Sequence, residues 1–189
     1  MKLYGSTASP FVRRIRIYAY SIDLEFIALD IFSDGDRQTL IQHNPCLKVP
    51  FLLDDQQSIL DSRVIFRYLQ EKFSLTALSW QQENLLTLID AANDSFVSLL
   101  LLQRSGVDVD NDIMFCKLQH QRIEQVLSYL SNLVEQGDFS DWHYPSICLY
   151  CLLDWVVFRQ LLDLDAYPTL KRFLNEHCNR EEVLATAPF

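Results

Sequence analysis

Apolar and polar residues alternate in short patterns over the first part of the 189-residue chain. A brief apolar run predicts a strand at residues 2–5, and alternation predicts a second strand at 24–30. Between them a helical spacing begins at Pro10, a residue that suits the first turn of a helix. Residues 33–37 are predicted to form a turn-rich loop, and 38–43 at most a short irregular helix. Strand, helix and strand in this order imply a parallel pair with a right-handed crossover.

A second pattern follows, in which three local signals come in a fixed order. In the dipeptide Val49–Pro50, the proline forces the valine into an extended conformation, and the bond between them is a candidate for the cis isomer. Residues 51–60 predict a β-hairpin with its turn at 54–57. Asp61 and Ser62 then open an amphipathic helix. The hairpin adds antiparallel strands to the parallel pair.

From Trp80 onward, apolar residues recur only at helical intervals, and no strand is predicted. Two long stripes predict helices around 85–100 and 118–134, and Gly137 ends the second. Residues 147–158 are apolar on nearly all sides, which predicts a helix at the centre of a bundle. The fold class is therefore α/β followed by all-α.

Composition narrows the class of protein. Apolar residues make up 49% of the chain, which allows a substantial core. The net charge of −9 disfavours contact with a phosphate backbone, so we expect no nucleic-acid partner. The chain does not start with the basic and apolar regions of a signal peptide, and its longest apolar run, 147–153, is shorter than the ~20 residues that span a bilayer. Together with five cysteines in no disulfide-framework spacing, this predicts a cytoplasmic protein with reduced thiols and no membrane partner.

The second pattern also places groups that suit a bound peptide. An extended Val49 beside a proline that cannot donate offers its own N–H and C=O to a peptide lying antiparallel to it. At a helix start, the free N–H groups and the helix dipole at Asp61 and Ser62 attract a carboxylate. The Ser62 hydroxyl adds a donor, and the Asp61 carboxylate accepts from an ammonium group. A small peptide with an amino-acid head group fits both places. The alternative is that Asp61 and Ser62 serve only as a helix cap.

The order of Val-Pro, short hairpin, acidic residue and serine at a helix start resembles the glutathione-binding half of the glutathione S-transferases. The helical second half resembles the same family, and residues 167–170 and 185–188 are similar to a common ending of its bacterial members. The resemblance covers the whole chain. It implies a thioredoxin-like glutathione-binding domain at 1–74 and a helical-bundle domain at 80–189.

The resemblance also implies a residue that activates a thiol. A free thiol has a pKa of ~8.5, and a hydroxyl donor at a helix N-terminus aimed at the sulfur favours the thiolate. Ser9 has a hydroxyl, stands at the predicted N-cap of the first helix, and matches the position at which serine-type transferases carry the activating serine. The alternative is that Ser9 only caps the helix. Ser6 and Thr7 are rival hydroxyls in the same loop, and Tyr4 is disfavoured because it falls within the strand.

The resemblance extends to two binding sets. Lys48 is placed to meet the glycyl carboxylate of glutathione, with a solvated lysine as the alternative, and His43 is a weaker candidate for the same role. The predicted glutathione-binding residues are Lys48, Val49, Pro50, Asp61 and Ser62. The predicted electrophile pocket, which favours apolar substrates unless its members are plain core, consists of Thr7, Phe11, Phe96, Leu99 and Gln103.

Other polar residues have plainer interpretations. The four histidines lack metal-ligand spacing, so no metal is predicted. Cys148 and Cys151 lie on the most apolar segment and are predicted to be core residues. Arg13, Arg14 and Arg16 fall off the apolar face of the first helix and are predicted to be solvated or paired.

One position departs from the family pattern. The family caps its buried helix with Ser or Thr and an Asp three residues later, whereas this chain has His143 and Ser146 in that register. Ser146, just after Pro145, is the alternative cap.

Two classes of function fit these patterns. The first is a cytoplasmic glutathione S-transferase, homodimeric and detoxifying by family resemblance, whose bound glutathione thiolate attacks an apolar electrophile. The second is a non-catalytic binding protein on the same fold, similar to stringent starvation protein A, which binds RNA polymerase. Ser9 together with the two predicted peptide contacts favours the enzyme. A glutathione-dependent isomerase or peroxidase shares the thiolate site and stays open.

Overall fold

The computed structural model describes residues 1–188, which form two compact units. The first unit comprises Met1–Ala77 together with the segment that begins at Cys178, and the second comprises Leu78–His177. The first unit is α/β and the second is helical, so the predicted fold class, a thioredoxin-like domain and a helical region, is confirmed.

A four-stranded mixed sheet forms the core of the first unit. Its strands are β1 (Lys2–Gly5), β2 (Glu25–Ala28), β3 (Phe51–Asp54) and β4 (Gln57–Leu60). Their order is β2-β1-β3-β4, in which β1 runs parallel to β2 and antiparallel to β3, and β3 runs antiparallel to β4. The parallel pair and the hairpin are both confirmed. The hairpin turn is shorter than predicted because Asp54 and Gln57 still pair with each other.

Three helices accompany the sheet: α1 (Pro10–Tyr18), α2 (Asp34–His43) and α3 (Ser62–Lys72). The predictions for α1 and α3 are confirmed at their N-terminal ends. The prediction of a loop at 33–37 and a short irregular helix at 38–43 is wrong, because α2 is a regular helix of 10 residues. Two carboxylates in its first turn, Asp34 and Asp36, interact favourably with the helix dipole and favour helix formation without a wide apolar face.

Helix α1 packs directly on strand β1 at Gly5. A Cβ at Gly5 would lie 2.4 Å from Cγ2 of Val12, and the Val12 side chain is fully buried. Only a residue without a side chain permits this approach. Gly5 therefore sets the distance between the strand and the helix that begins after Ser9.

The second unit contains α4 (Trp80–Arg104), α5 (Met114–Gln136), α6 (Tyr144–Phe158) and α7 (Pro168–His177). The left-handed Gly137 ends α5, and almost every residue of α6 is buried, both as predicted. By length and composition, α4 could cross a bilayer, but core helices of soluble proteins pass the same test, and 44% of its apolar stretch is buried inside the protein.

The cap of α6 keeps the register of the family pattern with different chemistry. His143 is the N-cap, and its ring Nδ1 accepts from the main-chain N–H of Ser146 at 3.2 Å. The Ser146 hydroxyl donates to the C=O of Asp141 at 2.6 Å. The alternative in which Ser146 is itself the N-cap is therefore wrong, and Ser146 supports the loop that precedes the helix.

The segment after α7 packs with the first unit. It contains the short helix α8 (Glu181–Leu184), which contacts α1. Nη2 of Arg13, a residue only 4% exposed, donates to the C=O of Val183 at 3.2 Å. The predicted domains were 1–74 and 80–189, so the prediction placed the residues from Cys178 onward with the helical domain. In the structure these residues belong to the first unit.

We expect Gly5→Ala to destabilise the protein by about 1–3 kcal/mol, because the added methyl group overlaps a buried side chain. Urea denaturation followed by circular dichroism measures the change. Gly35→Ala in α2 is the matched control, since a Cβ there meets no atom within 4 Å. That variant should be neutral or more stable by about 0.5–1 kcal/mol. Equal stability of the two variants would show that Gly5 does not set the helix–strand distance.

Candidate functional site

Three connections of the first unit leave the sheet at the same edge. In the strand register, Tyr4 pairs with Phe51, and Phe51 pairs with Leu60. The loop after β1, the dipeptide before β3 and the start of α3 after β4 therefore follow one another across that edge. Because neighbouring strands lie about 4.8 Å apart, the outer two of these connections are about 10 Å from each other. An extended tripeptide has this length.

The middle connection contains Val49, which is half-buried. The Val49–Pro50 bond is cis, as predicted. Within residues 1–188, neither the main-chain N–H nor the C=O of Val49 takes part in a hydrogen bond. These two groups have the pairing capacity that strand addition requires, and the role of Val49 in binding a peptide remains a prediction.

The loop before Val49 is anchored by Asn44, a residue that the sequence patterns did not single out. Asn44 is 1% exposed. Its amide donates to the C=O of Lys48 at 2.6 Å and accepts from the N–H of Cys46 at 3.0 Å. The dipeptide Asn44-Pro45 was the available signal, because Asn-Pro favours a turn. The Lys48 side chain is exposed on this anchored loop, so its backbone is fixed and its ammonium group faces solvent.

The first connection ends at Ser9, the predicted N-cap of α1, and the structure confirms the cap. The Ser9 Oγ accepts from the main-chain N–H of Val12 at 3.4 Å, which is long for such a bond. The cap uses the oxygen as an acceptor, so it does not consume the hydrogen of the hydroxyl. Capping the helix and donating to a sulfur atom are therefore compatible roles for Ser9.

The third connection is the start of α3. Asp61 is its N-cap, and its carboxylate accepts from the N–H of Arg63 at 2.8 Å. Its φ of 70° lies in the left-handed region, which is strained for a residue with a side chain. Ser62 is only 1% exposed. The predicted helix start is confirmed, and the backbone strain lies where the predicted carboxylate contact lies.

Two arginines of α1 are buried, not solvated. Arg14 is 2% exposed and donates from Nη2 to the Ser62 Oγ. Arg13 binds the C-terminal segment, as described above. The predicted alternatives for both were solvation or pairing, and pairing is confirmed. No local pattern indicated the partners, because Ser62 lies 48 residues away from Arg14 and Val183 lies 170 residues away from Arg13.

A polar cluster ties α3 to the hairpin. The Tyr68 hydroxyl donates to Asp54 Oδ2 at 2.5 Å, and the Lys72 ammonium pairs with the same carboxylate. The hydrogen bond from Lys72, and to a smaller extent the one from Tyr68, lowers the pKa of Asp54. The bond to Asp54 raises the pKa of Tyr68. The cluster ties the C-terminal half of α3 to the end of β3.

The five residues of the predicted electrophile pocket are distributed over both units. Thr7 and Phe11 are half-buried in the first unit. Phe96 and Leu99 are buried on α4, and Gln103 is exposed near its end. The electrophile pocket made of these five residues remains a prediction.

Two cysteines of α6 and one histidine of α2 are packed within the protein. Cys148 and Cys151 are 2% and 1% exposed, so their prediction as core residues is confirmed. His43 stacks on Phe51 with ring centroids 5.9 Å apart. Across residues 1–188, no group of three or more His, Cys, Asp or Glu side chains is arranged to hold a metal ion.

The N-terminal part of the chain matches a known protein family. Residues 3–77 match the model of the glutathione S-transferase N-terminal domain. Glutathione S-transferase F6 of Arabidopsis thaliana is 33% identical over 78 residues, which are 39% of this chain and 37% of the plant protein. The chain thus matches little more than a third of that relative.

Solved structures resemble this chain over nearly its whole length, and two of them illustrate the similarity. A glutathione S-transferase from Methylobacillus flagellatus, crystallised with glutathione bound, has a TM-score of 0.87 at 25% identity, covering 100% of this chain and 99% of its own. A glutathione S-transferase from Methylobacterium radiotolerans, in complex with glutathione sulfonate, has a TM-score of 0.84 at 21% identity, covering 100% and 94%. At 21% identity, the similarity to the Methylobacterium radiotolerans structure shows a shared fold.

We expect Asp54→Asn to lower stability at pH 7 and to have progressively less effect in acid. The pKa of Asp54 is lowered in the folded state, so its stabilising contribution is full above the unfolded-state pKa of ~3.9 and is lost as pH falls through the folded-state pKa. Denaturant titrations of both proteins, from neutral pH down into that range, measure the difference. Asp23→Asn, at an exposed aspartate of the same unit, is the control and should change little at either pH. A pH-independent loss in Asp54→Asn would exclude a role for the charge.

Proposed function

Since the chain belongs to the glutathione S-transferase family by its N-terminal domain and its fold, we propose that it binds glutathione at the sheet edge of its first unit and conjugates it, through its sulfur, to an apolar electrophile. One observation carries the proposal. The connections that carry a hydroxyl at a helix start, an unpaired main-chain segment and a second helix start leave the sheet in this order, from three neighbouring strand ends of which the outer two are about 10 Å apart.

The main chain of glutathione would lie antiparallel to Val49. Its cysteinyl residue would pair with the N–H and C=O that make no hydrogen bond within residues 1–188. The γ-glutamyl head would then reach the start of α3, with its carboxylate at Ser62 and its ammonium group at Asp61. The exposed Lys48 would meet the glycyl carboxylate. Pro50 supports the binding edge without donating to it.

The sulfur of the bound tripeptide would lie at Ser9. A hydroxyl donor and the N-terminal end of α1 both stabilise the thiolate and lower the pKa of the bound thiol. The thiolate then attacks the electrophilic carbon, a carbon–sulfur bond forms, and the leaving group departs with the electron pair of its bond. No residue in this scheme is oxidised or reduced, so Ser9 serves only as a donor.

The second substrate is apolar and contacts Thr7 and Phe11, with Phe96, Leu99 and Gln103 as further predicted contacts. The protein acts in detoxification in the cytoplasm as a homodimer. Light scattering on the purified protein tests the dimer independently of catalysis.

Calorimetry with millimolar glutathione, followed by conjugation to a generic aromatic electrophile, tests the function. We expect saturable binding and turnover. Binding without turnover, unaffected by substitution at Ser9, would support the non-catalytic binding protein instead. Absence of binding by the folded protein would reject both the transferase and the glutathione-dependent alternatives.

We expect Ser9→Ala to reduce turnover by about 10- to 100-fold, which is the effect of losing one hydrogen bond to a charged group. Loss of the donor also raises the pKa of the bound thiol, so the ultraviolet absorbance of the thiolate should appear at higher pH than in the native protein. Ser6→Ala and Thr7→Val are the matched controls in the same loop. If either control shifts the thiol titration and Ser9→Ala does not, the rival hydroxyl is the activating residue.

A further inference from the structure

Arg14 connects the two helices whose N-terminal ends belong to the proposed glutathione site. It is on α1, five residues after Ser9, and it is 2% exposed, which is rare for an arginine. Its Nη2 donates to the Oγ of Ser62, the first residue of α3. Arg14 thus joins the helix that starts after Ser9 to the helix that starts at Ser62.

The guanidinium is also packed against an aromatic ring. Its central carbon lies 4.8 Å from the ring centroid of Phe11, within the range of a cation–π interaction. The contact with the ring and the bond to the Ser62 hydroxyl together fix the orientation of the planar group. A buried cation is retained only where such contacts compensate for its lost hydration.

The Arg14 guanidinium is placed to attract a carboxylate that binds at Ser62. The positive group lies one hydrogen bond behind Ser62, at the end of α3 where the helix dipole is also positive. Charge–charge interactions are several times stronger in a protein interior than in water. A carboxylate that contacts the Ser62 hydroxyl would therefore experience both the helix dipole and the guanidinium.

From these contacts we propose that Arg14 is a positioning residue for the γ-glutamyl carboxylate of glutathione. Arg14 does not touch the ligand. It fixes the Ser62 hydroxyl and places a buried positive charge behind it. The inference rests on the proposed function, because it assigns a role within that same site.

Arg13 provides the matched comparison. It neighbours Arg14 on the same helix and is 4% exposed, but its guanidinium donates to Val183 and Thr186 in the C-terminal segment. A purely structural effect of a buried arginine should appear in variants of both residues. An effect specific to the carboxylate should appear only in variants of Arg14.

The experiment measures the affinity of two ligands by calorimetry at one pH. The first ligand is glutathione, and the second is 4-aminobutyryl-cysteinyl-glycine, which lacks only the α-carboxylate of the γ-glutamyl residue. We expect Arg14→Met to weaken glutathione binding by about 10- to 100-fold and to leave the binding of the analogue within about twofold. Arg13→Met should lower the midpoint of thermal unfolding and affect the two ligands by the same factor.

Two further variants keep the test decisive if Arg14→Met does not fold. Arg14→Lys retains a positive charge but loses the planar donor, so it should weaken glutathione by a smaller factor and again spare the analogue. Ser62→Ala removes the acceptor and should by itself reduce the preference for glutathione over the analogue.

The outcomes separate the inference from the function on which it rests. If the native protein binds no glutathione, the proposed function fails and the inference fails with it. If the native protein prefers glutathione over the analogue, and the Arg14 variants keep that preference, the function stands and the positioning role of Arg14 is overturned.

Discussion

The register of the four-stranded sheet is the constraint on which the candidate site depends. Tyr4, Phe51 and Leu60 occupy one row across three strands. A slip of one residue in either pairing would turn every apolar side chain of the moved strand to the opposite face, so burial fixes the row. The row in turn fixes where the three connections begin. A site assembled from backbone groups needs this kind of support, because such groups can be moved only by moving the strand itself.

Helix α1 links the sheet register to the position of Ser9. Gly5 brings the helix close to β1, and Ser9 is carried at its start. The two buried arginines then connect α1 in different directions, Arg14 to α3 and Arg13 to the C-terminal segment. The helix therefore has three sets of fixed contacts along its short length. Because of these contacts, the start of α1 and the start of α3 hold a fixed distance from each other. A fixed distance is required if the Ser9 hydroxyl is to meet the sulfur of a ligand that is bound at α3.

Local signals in the sequence predicted most elements of the fold. Pro10 after a serine, the glycine after α5 and the acidic N-cap of α3 are each recognisable within a few residues. Helix α2 was predicted too short and irregular because it buries little apolar surface, with Leu40 as its buried residue, so its periodicity is weak.

The supporting contacts of the site could not be predicted in the same way. The partners of Arg13 and Arg14 are distant in sequence, and neither residue type is normally buried. Asn44 is an intermediate case, since its turn had a local signal and its bond to the C=O of Lys48 did not. Residues predicted to contact a ligand were thus easier to find than residues that hold them in place.

The return of the C-terminal segment to the first unit affects how the protein is made. Nascent domains usually begin to fold from the N-terminus while the ribosome is still adding residues. Here α1 gains its contacts with α8 only after the whole second unit has been synthesised. During translation Arg13 lacks its contacts with Val183 and Thr186, so the first unit acquires its final stability late. A fragment that stops near Ala77 would remain in that premature condition.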